Sequence, residues 1–405
     1  MRLLIITDSI PRPDFDSGYR RLAAILHHAS KQHTITVFAR HIRNDVPERE
    51  RATSHLKGLG IAEVFEGEWQ LPRVLRSHRF DGALFHYYHV AEWALEAFRR
   101  ANPAAVAIVD SGDLHYIREE TAAAVGTVTH AYAALVRKKE SEVYHKADLV
   151  FTNSGEDDAI FRREFPDTPS LMVPNMIPIR LRPKLQRAPQ MFFVGNFFHQ
   201  PNVDGILWFA RDIFPLVLRA RPDAILEIGG KNPPPELSTL PTRDSIRALG
   251  WIPETDPHLD AARLVIAPLR FGGGMKGKVT EALACGAPVV STTFGAQGFG
   301  ATDGVHLRVE DEPARFAAAV VDALNNEDAT ERMGFAGQEL VRGLCSPEVV
   351  EKLVDEGLAL AATLKPRTAA RPLSRFRFIL GTYGQDFGRG LQRAGQRQTA
   401  LRETS

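Results

Sequence analysis

Short apolar runs recur along the chain, each followed by a polar or glycine-bearing turn and then a stretch of helical periodicity. Residues 1–7 read as a buried parallel strand, 11–18 as a polar loop, 19–30 as an apolar-periodic helix and 34–39 as the next strand. Further strands are predicted at 82–85, 105–110 and 149–153, alternating with helix-like segments such as 130–146, as in a wound parallel sheet. A proline- and base-rich stretch at 178–189 has the composition of an interdomain linker. The pattern then restarts, with strands at 191–194, 224–228, 264–267 and 288–291 and helices at 204–220 and 277–284. Segments 312–325 and 346–363 read as closing helices. The predicted fold class is α/β, with two Rossmann-like domains at 1–174 and 175–364 and a C-terminal segment at 365–405.

Composition narrows the possibilities without deciding them. At 405 residues the chain suits roughly two to three domains. A net charge of +1 gives no global argument for nucleic acid or an acidic partner. Cys285 and Cys345 are the only cysteines, too few for a zinc site or a disulfide framework, so a reducing cytoplasm is expected. No run approaches the ~20 apolar residues that cross a bilayer, and Asp8 interrupts the opening apolar run too early for a signal peptide. The expectation is a soluble or peripheral protein. The segment 365–405 carries eight arginines against two acidic residues, with aromatic residues interleaved. It reads either as an amphipathic stretch docking on an anionic membrane or as a helix packing back on the first domain before a frayed end.

The richest chemistry lies at 268–284, where a strand end meets a glycine turn and a helix start. Gly272, Gly273 and Gly274 let the backbone approach a ligand, and the amides opening the next helix point outward unpaired. Lys276 and Lys278 add cations, and Glu281, one turn deeper, can accept from two neighbouring hydroxyls such as those of a ribose. The pattern is neither Gly-x-Gly-x-x-Gly after a first strand nor a phosphate loop ending in Lys-Ser or Lys-Thr. Its place in the second half suggests a nucleotide diphosphate held by the second of two facing domains.

Further motifs accompany that turn: Asp14-Phe15-Asp16-Ser17-Gly18-Tyr19-Arg20-Arg21, the Asp110–Glu119 stretch with Asp113, His115 and Arg118, and Ala147-Asp148-Leu149-Val150-Phe151-Thr152-Asn153-Ser154. Later come Phe193-Val194-Gly195-Asn196, Pro201-Asn202-Val203-Asp204, Ile213-Phe214-Pro215 and Gly286-Ala287-Pro288-Val289-Val290-Ser291-Thr292. In this order they resemble a family-4-type (group 1) retaining glycosyltransferase of the GT-B fold, and the resemblance covers most of the chain. It implies a nucleotide-diphosphate-sugar donor on the second domain, a glycan or lipid-linked acceptor on the first, and transfer in the cleft between them, in bacterial surface polysaccharide or glycolipid synthesis. No obligatory metal or other cofactor is implied. The Asp14-x-Asp16 pair is read as shaping the cleft, Asp16 on the acceptor side, rather than as a metal site.

Carried across residue by residue, Glu281 matches the second glutamate of the family's Glu-x7-Glu motif and is assigned the ribose, while Gly273 stands where the first glutamate would be. Asn196 and Asn202 replace a basic pair, so phosphate neutralisation is expected to rest on Lys276 and Lys278, with help from Arg270. The donor set comprises Gly18, Gly195, Asn196, Arg270, Gly272, Gly273, Gly274, Met275, Lys276, Gly277, Lys278 and Glu281. His115 is the expected cleft residue touching the donor sugar, and with Lys276 and Lys278 completes the catalytic set. Arg20, His86 and Asp113 join Asp16 on the acceptor side; His86 with Tyr87, Tyr88 and His89 also suits a half-exposed strand end. A non-catalytic sugar-nucleotide-binding or scaffold protein of the same fold is the alternative that Gly273 and Asn196 leave open.

Overall fold

The computed structural model describes residues 1–12, 17–42, 44–183 and 187–368. Asp14, Asp16 and the basic stretch beyond Thr368 lie outside the described residues. Residues 1–367 form one compact unit, distinct from residues 368–405.

Two all-parallel sheets organise the unit. The first contains β1 (Arg2–Thr7), β2 (Thr34–Ala39), β3 (Glu63–Glu66), β4 (Gly82–His86), β5 (Val106–Asp110), β6 (Leu149–Thr152) and β7 (Ser170–Met172), in the order β3-β2-β1-β4-β5-β6-β7. The second contains β8 (Gln190–Val194), β9 (Ile225–Gly229), β10 (Ile246–Gly250), β11 (Leu264–Ala267), β12 (Val289–Ser291) and β13 (Arg308–Val309), in the order β10-β9-β8-β11-β12-β13. Helices cover both faces, which explains why the central strands are continuous apolar runs: Leu3–Ile6 and Leu264–Ala267 are buried throughout. Each buried Leu, Ile or Val side chain in these runs contributes roughly 1.5–3 kcal/mol. The two-sheet architecture is the GT-B fold that the resemblance implies.

Strand order reverses between β1 and β4 in the first sheet and between β8 and β11 in the second. A crevice forms outside the carboxyl ends of strands at such a reversal. The turns after β8 and β11 therefore flank one crevice edge, and the turn after β4 flanks the other.

Two segments depart from the sequence reading. The predicted helix at 204–220 begins earlier, as Gln200–Trp208, and passes through a π-helical turn at Phe209–Ile213 into Phe214–Ala220, whose second residue is Pro215. Proline lacks the N–H that a regular helix would use there, and the widened turn absorbs the mismatch. The helix Pro347–Thr363, assigned to the second domain by the division at 364, returns to the first: Val350, Val354, Leu358 and Ala361 join the core built on Leu3, Ile5, Leu22 and Leu26. His28 Nε2 and Asp355 Oδ1 lie 2.8 Å apart along that seam.

Candidate functional site

The helix Gly277–Ala284 follows β11 through the glycine turn, with Lys276 as its N-cap residue. Its first internal bonds run from Val279 and Thr280 N–H to the Lys276 carbonyl, 2.9 Å each, so the amides of Gly277 and Lys278 precede the helical ladder. Gly272 (φ 147°) and Gly274 (φ 61°) hold conformations that favour glycine. Sequence reasoning gave these glycines to ligand approach; the structure adds a second cause. A Cβ on Gly274 would lie 2.8 Å from Asp113 Cβ, and one on Gly273 would lie 3.1 Å from Asp113 Oδ2. The loop after β5 thus presses into the glycine turn, bringing the two sheets' crevice edges together.

Both lysines are half-buried and engaged. Lys276 Nζ donates to the carbonyls of Gly273 and Gly274, at 2.9 and 2.6 Å. Burial lowers its pKa to about 8, against the pull of Asp113, Asp157 and Glu156. Lys278 Nζ donates to Asn202 Oδ1 at 2.5 Å and stands 4.1 Å from the Phe193 ring centre. Burial, with Lys276 nearby, brings its pKa to about 7. Asn202 Nδ2 in turn donates to the Asn196 carbonyl at 2.8 Å, so Lys278 is fixed to the turn after β8. That turn is close-packed: a Cβ on Gly195 would lie 2.9 Å from the Asn202 side chain.

Glu281 accepts from Arg20 at Oε1 and from Thr255 at Oε2, the latter at 3.1 Å. Its side chain is 14% exposed and that of Arg20 48%. Across the crevice, Asp113 accepts two bonds from Arg118 Nη1 (3.1 and 2.8 Å), and its Oδ1 lies 3.1 Å from His115 Nδ1. Burial opposes the Asp113 charge, but Arg118 and His115 outweigh it and hold the carboxyl below its ordinary range. His115 opens the helix His115–Ala124, whose first amides, His115 and Tyr116, donate to the buried Glu140 carboxylate at 3.1 and 2.7 Å. Glu140 thereby caps the helix and sets the position of His115.

Several expected residues sit elsewhere than their assignment. Arg20, given to the acceptor side, contacts the proposed ribose carboxylate. His86, given the same role, is 1% exposed beneath Tyr87, with Nδ1 3.0 Å from Asp110 Oδ2. Asp110 is also clasped by Arg21 Nη1 at 2.6 and 2.7 Å; burial works against this carboxylate, but Arg21 and His86 prevail and hold it far below the usual range. The pair His86 and Asp110 is therefore foundation under the crevice rather than its wall. Arg270 donates to Asp204 at 2.8 Å and stands over Trp208, drawn toward the helix Gln200–Trp208 and away from the glycine turn. Met275 buries its sulfur 3.5 Å from Cys345 Sγ, leaving only backbone for a ligand. Gly18 lies in the first turn of the helix Ser17–Ala29, not in a loop.

Two groups that sequence reasoning missed converge here. Asp157, in the first turn of the helix Gly155–Glu164, is 5% exposed and lies within electrostatic range of Asp113 and Lys276; burial and Asp113 raise its pKa to about 7. His199, the N-cap of Gln200–Trp208, is within range of Asp113, Lys276 and Lys278. Asp157 had a local signal, since Ser154 three residues earlier is a capping residue whose Oγ accepts from Asp157 N at 3.1 Å, but capping does not reveal a cleft. Among the described residues, no group of three or more His, Cys, Asp or Glu is arranged to hold a metal ion.

The arrangement can hold an anion at a helix start between two lysines, with a hydroxyl-accepting carboxylate one turn deeper and a fixed carboxylate–imidazole pair facing it. An uncharacterized 44.6 kDa protein in the cps region of Klebsiella pneumoniae is 25% identical over 216 residues, 47% of this chain and 53% of that protein, so the match spans about half of its length. A sucrose-phosphate synthase from Thermosynechococcus elongatus superposes over 89% of this chain and 99% of its own, with TM-score 0.68 at 14% identity. Anabaena HepE, in a complex with UDP-glucose, covers 89% and 100% with TM-score 0.69 at 12% identity. The lipopolysaccharide outer core galactosyltransferase WaaB covers 89% and 99% with TM-score 0.59 at 13% identity. At these identities the structural likeness is one of fold. Residues 188–326, which include the glycine turn, Lys276, Lys278 and Glu281, match the family model of glycosyl transferases group 1. The chain therefore has the GT-B fold, and its residues 188–326 are similar to the glycosyl transferases group 1.

Proposed function

We propose that the protein is a glycosyltransferase moving a sugar from a nucleotide-diphosphate sugar to a glycan or lipid-linked acceptor, with retention at the anomeric carbon. The observation that carries this reading is the run Lys276, Lys278 and Glu281 along one helix start at the β8/β11 reversal. A diphosphate there meets the amides of Gly277 and Lys278 and both ammonium groups, and the ribose hydroxyls exchange with Arg20 and Thr255 for Glu281. The cps-region relative and the lipopolysaccharide galactosyltransferase support a role in bacterial surface polysaccharide or glycolipid synthesis.

In the proposed reaction the bond between the anomeric carbon and the diphosphate oxygen breaks, and negative charge grows on the departing diphosphate. The helix start and the lysines stabilise that charge more in the transition state than in the ground state. The acceptor hydroxyl attacks on the face from which the diphosphate leaves, and its proton passes to the diphosphate oxygen. Cations of the chain itself supply the neutralisation, so no metal is required. In this reading Asp113, held against the glycine turn, and His115, 3.1 Å from its Oδ1, face the sugar.

The test is calorimetric titration with UDP, GDP, ADP and dTDP, comparing the native chain with Lys276→Ala and Glu281→Ala. Binding of one diphosphate that both variants weaken supports the donor site and selects the sugar nucleotides for transfer assays. No response to any diphosphate rejects the reading, and binding without transfer or donor hydrolysis across a broad acceptor panel favours a sugar-nucleotide-binding scaffold.

A further inference from the structure

A small cavity between the two halves is lined by Arg20, Asn175, Gly277, Thr280 and Glu281. Asn175 lies in the segment between β7 and β8, is only 9% exposed, and its Nδ2 is buried with no hydrogen-bond partner among the described residues. A buried donor left unpaired costs about 1–3 kcal/mol, so its persistence calls for a cause. No atom of the described lining accepts from it. Both Glu281 oxygens are engaged by Arg20 and Thr255, and Thr280 Oγ1 donates to the Lys276 carbonyl at 3.1 Å.

The chemistry of this lining selects one kind of guest group. Arg20 and Arg21, which also line the cavity, are committed to Glu281 and Asp110, so a phosphate or carboxylate would meet the Glu281 charge without a cation to spare, and an ammonium could not accept from Asn175. A hydroxyl satisfies both, donating to the carboxylate and accepting from the amide. We propose that Asn175 is a specificity-determining residue that reads a ribose hydroxyl of the nucleotide, the same hydroxyl that donates to Glu281. This rests on the reading of Glu281 as the ribose ligand and extends it to a residue outside the matched domain, which begins at 188. Asn175 distinguishes ribose from deoxyribose because the deoxy sugar leaves the buried amide without its bond, while Glu281 keeps Arg20 and Thr255.

The test compares UDP, GDP and ADP with their 2′-deoxy and 3′-deoxy forms by calorimetry, in the native chain, Asn175→Leu and Asn175→Ser. The native chain is expected to bind one ribonucleotide at least about tenfold more tightly than one of its deoxy forms, the equivalent of a single hydrogen bond. In Asn175→Leu that ratio should fall to about twofold while the affinity for the deoxy form stays unchanged. Asn175→Ser, uncharged and smaller, carries the same comparison if the leucine variant does not fold. A ratio unmoved in the variants, or no discrimination in the native chain, overturns the proposal while leaving the donor site intact. Failure of every ribonucleotide to bind rejects the donor-site reading itself, and this one with it.

Discussion

Arg20 donates to Glu281 Oε1, tying the first helix of the chain to a carboxylate 261 residues later. The pair joins the two sheets at the point where the proposed ribose would bind, so ligand and arginine compete for one oxygen. With Arg20 half exposed, the pair is worth on the order of 0.2–1 kcal/mol. Arg20→Ala should therefore tighten nucleoside diphosphate binding by about two- to fivefold, read by calorimetry. Weaker binding in this variant would mean that Arg20 itself holds the ligand.

Lys276 and Lys278, with pKa values brought to about 8 and about 7 by burial, are partly neutral at physiological pH. A bound diphosphate favours their charged forms and raises both values. Affinity is then greatest below about pH 7 and falls as pH climbs through the raised values of the bound state. Calorimetry at pH 7.5 in buffers of different ionisation enthalpy should report net proton uptake on binding. No uptake would place the diphosphate away from these lysines.

Gly274→Ala introduces a Cβ 2.8 Å from Asp113 Cβ at a residue whose φ is 61°. Strain and collision together should cost about 1–3 kcal/mol in urea unfolding. Gly273→Ala, with its nearest atom at 3.1 Å and no positive φ, should cost less. Equal losses would argue against the Asp113 contact as the cause.

Arg21 and Asp110 form a buried pair, their side chains 2% and 0% exposed. Removing one partner strands the other, so Arg21→Ala should destabilise the chain by about 3–5 kcal/mol in chemical denaturation. Because the Asp110 carboxyl is depressed in the folded state, its contribution is present above the unfolded value of about 4 and is lost as pH falls below it. Acid unfolding should begin at higher pH in Arg21→Ala than in the native chain.

The central strands were legible because Leu3–Ile6 and Leu264–Ala267 are buried on both faces and leave unbroken apolar runs. Edge strands were not: Ile246–Gly250 is half exposed and Arg308–Val309 is only two residues long, so neither carries a period. Lys276, Lys278 and Glu281 could be read together because spacings of two and three residues along one helix start are local. Asp113 against Gly273, or Asp157 within range of Lys276, depends on how two sheets meet. Arg270 shows the converse: a cation beside the glycine turn in sequence whose guanidinium is claimed by Asp204, 66 residues earlier.

The chain passes between the sheets twice, once through the segment after Met172 and again at Ser346, where Cys345 belongs to the second core and Val350 to the first. Two such pivots act as the pins of a door. They would permit a swing about the line through them and resist twisting and sliding, so any opening would return Asp113 to the same place over Gly273 and Gly274. Cutting the backbone at Ser346 would remove one pin and, with it, the registration of Asp113 over the glycine turn.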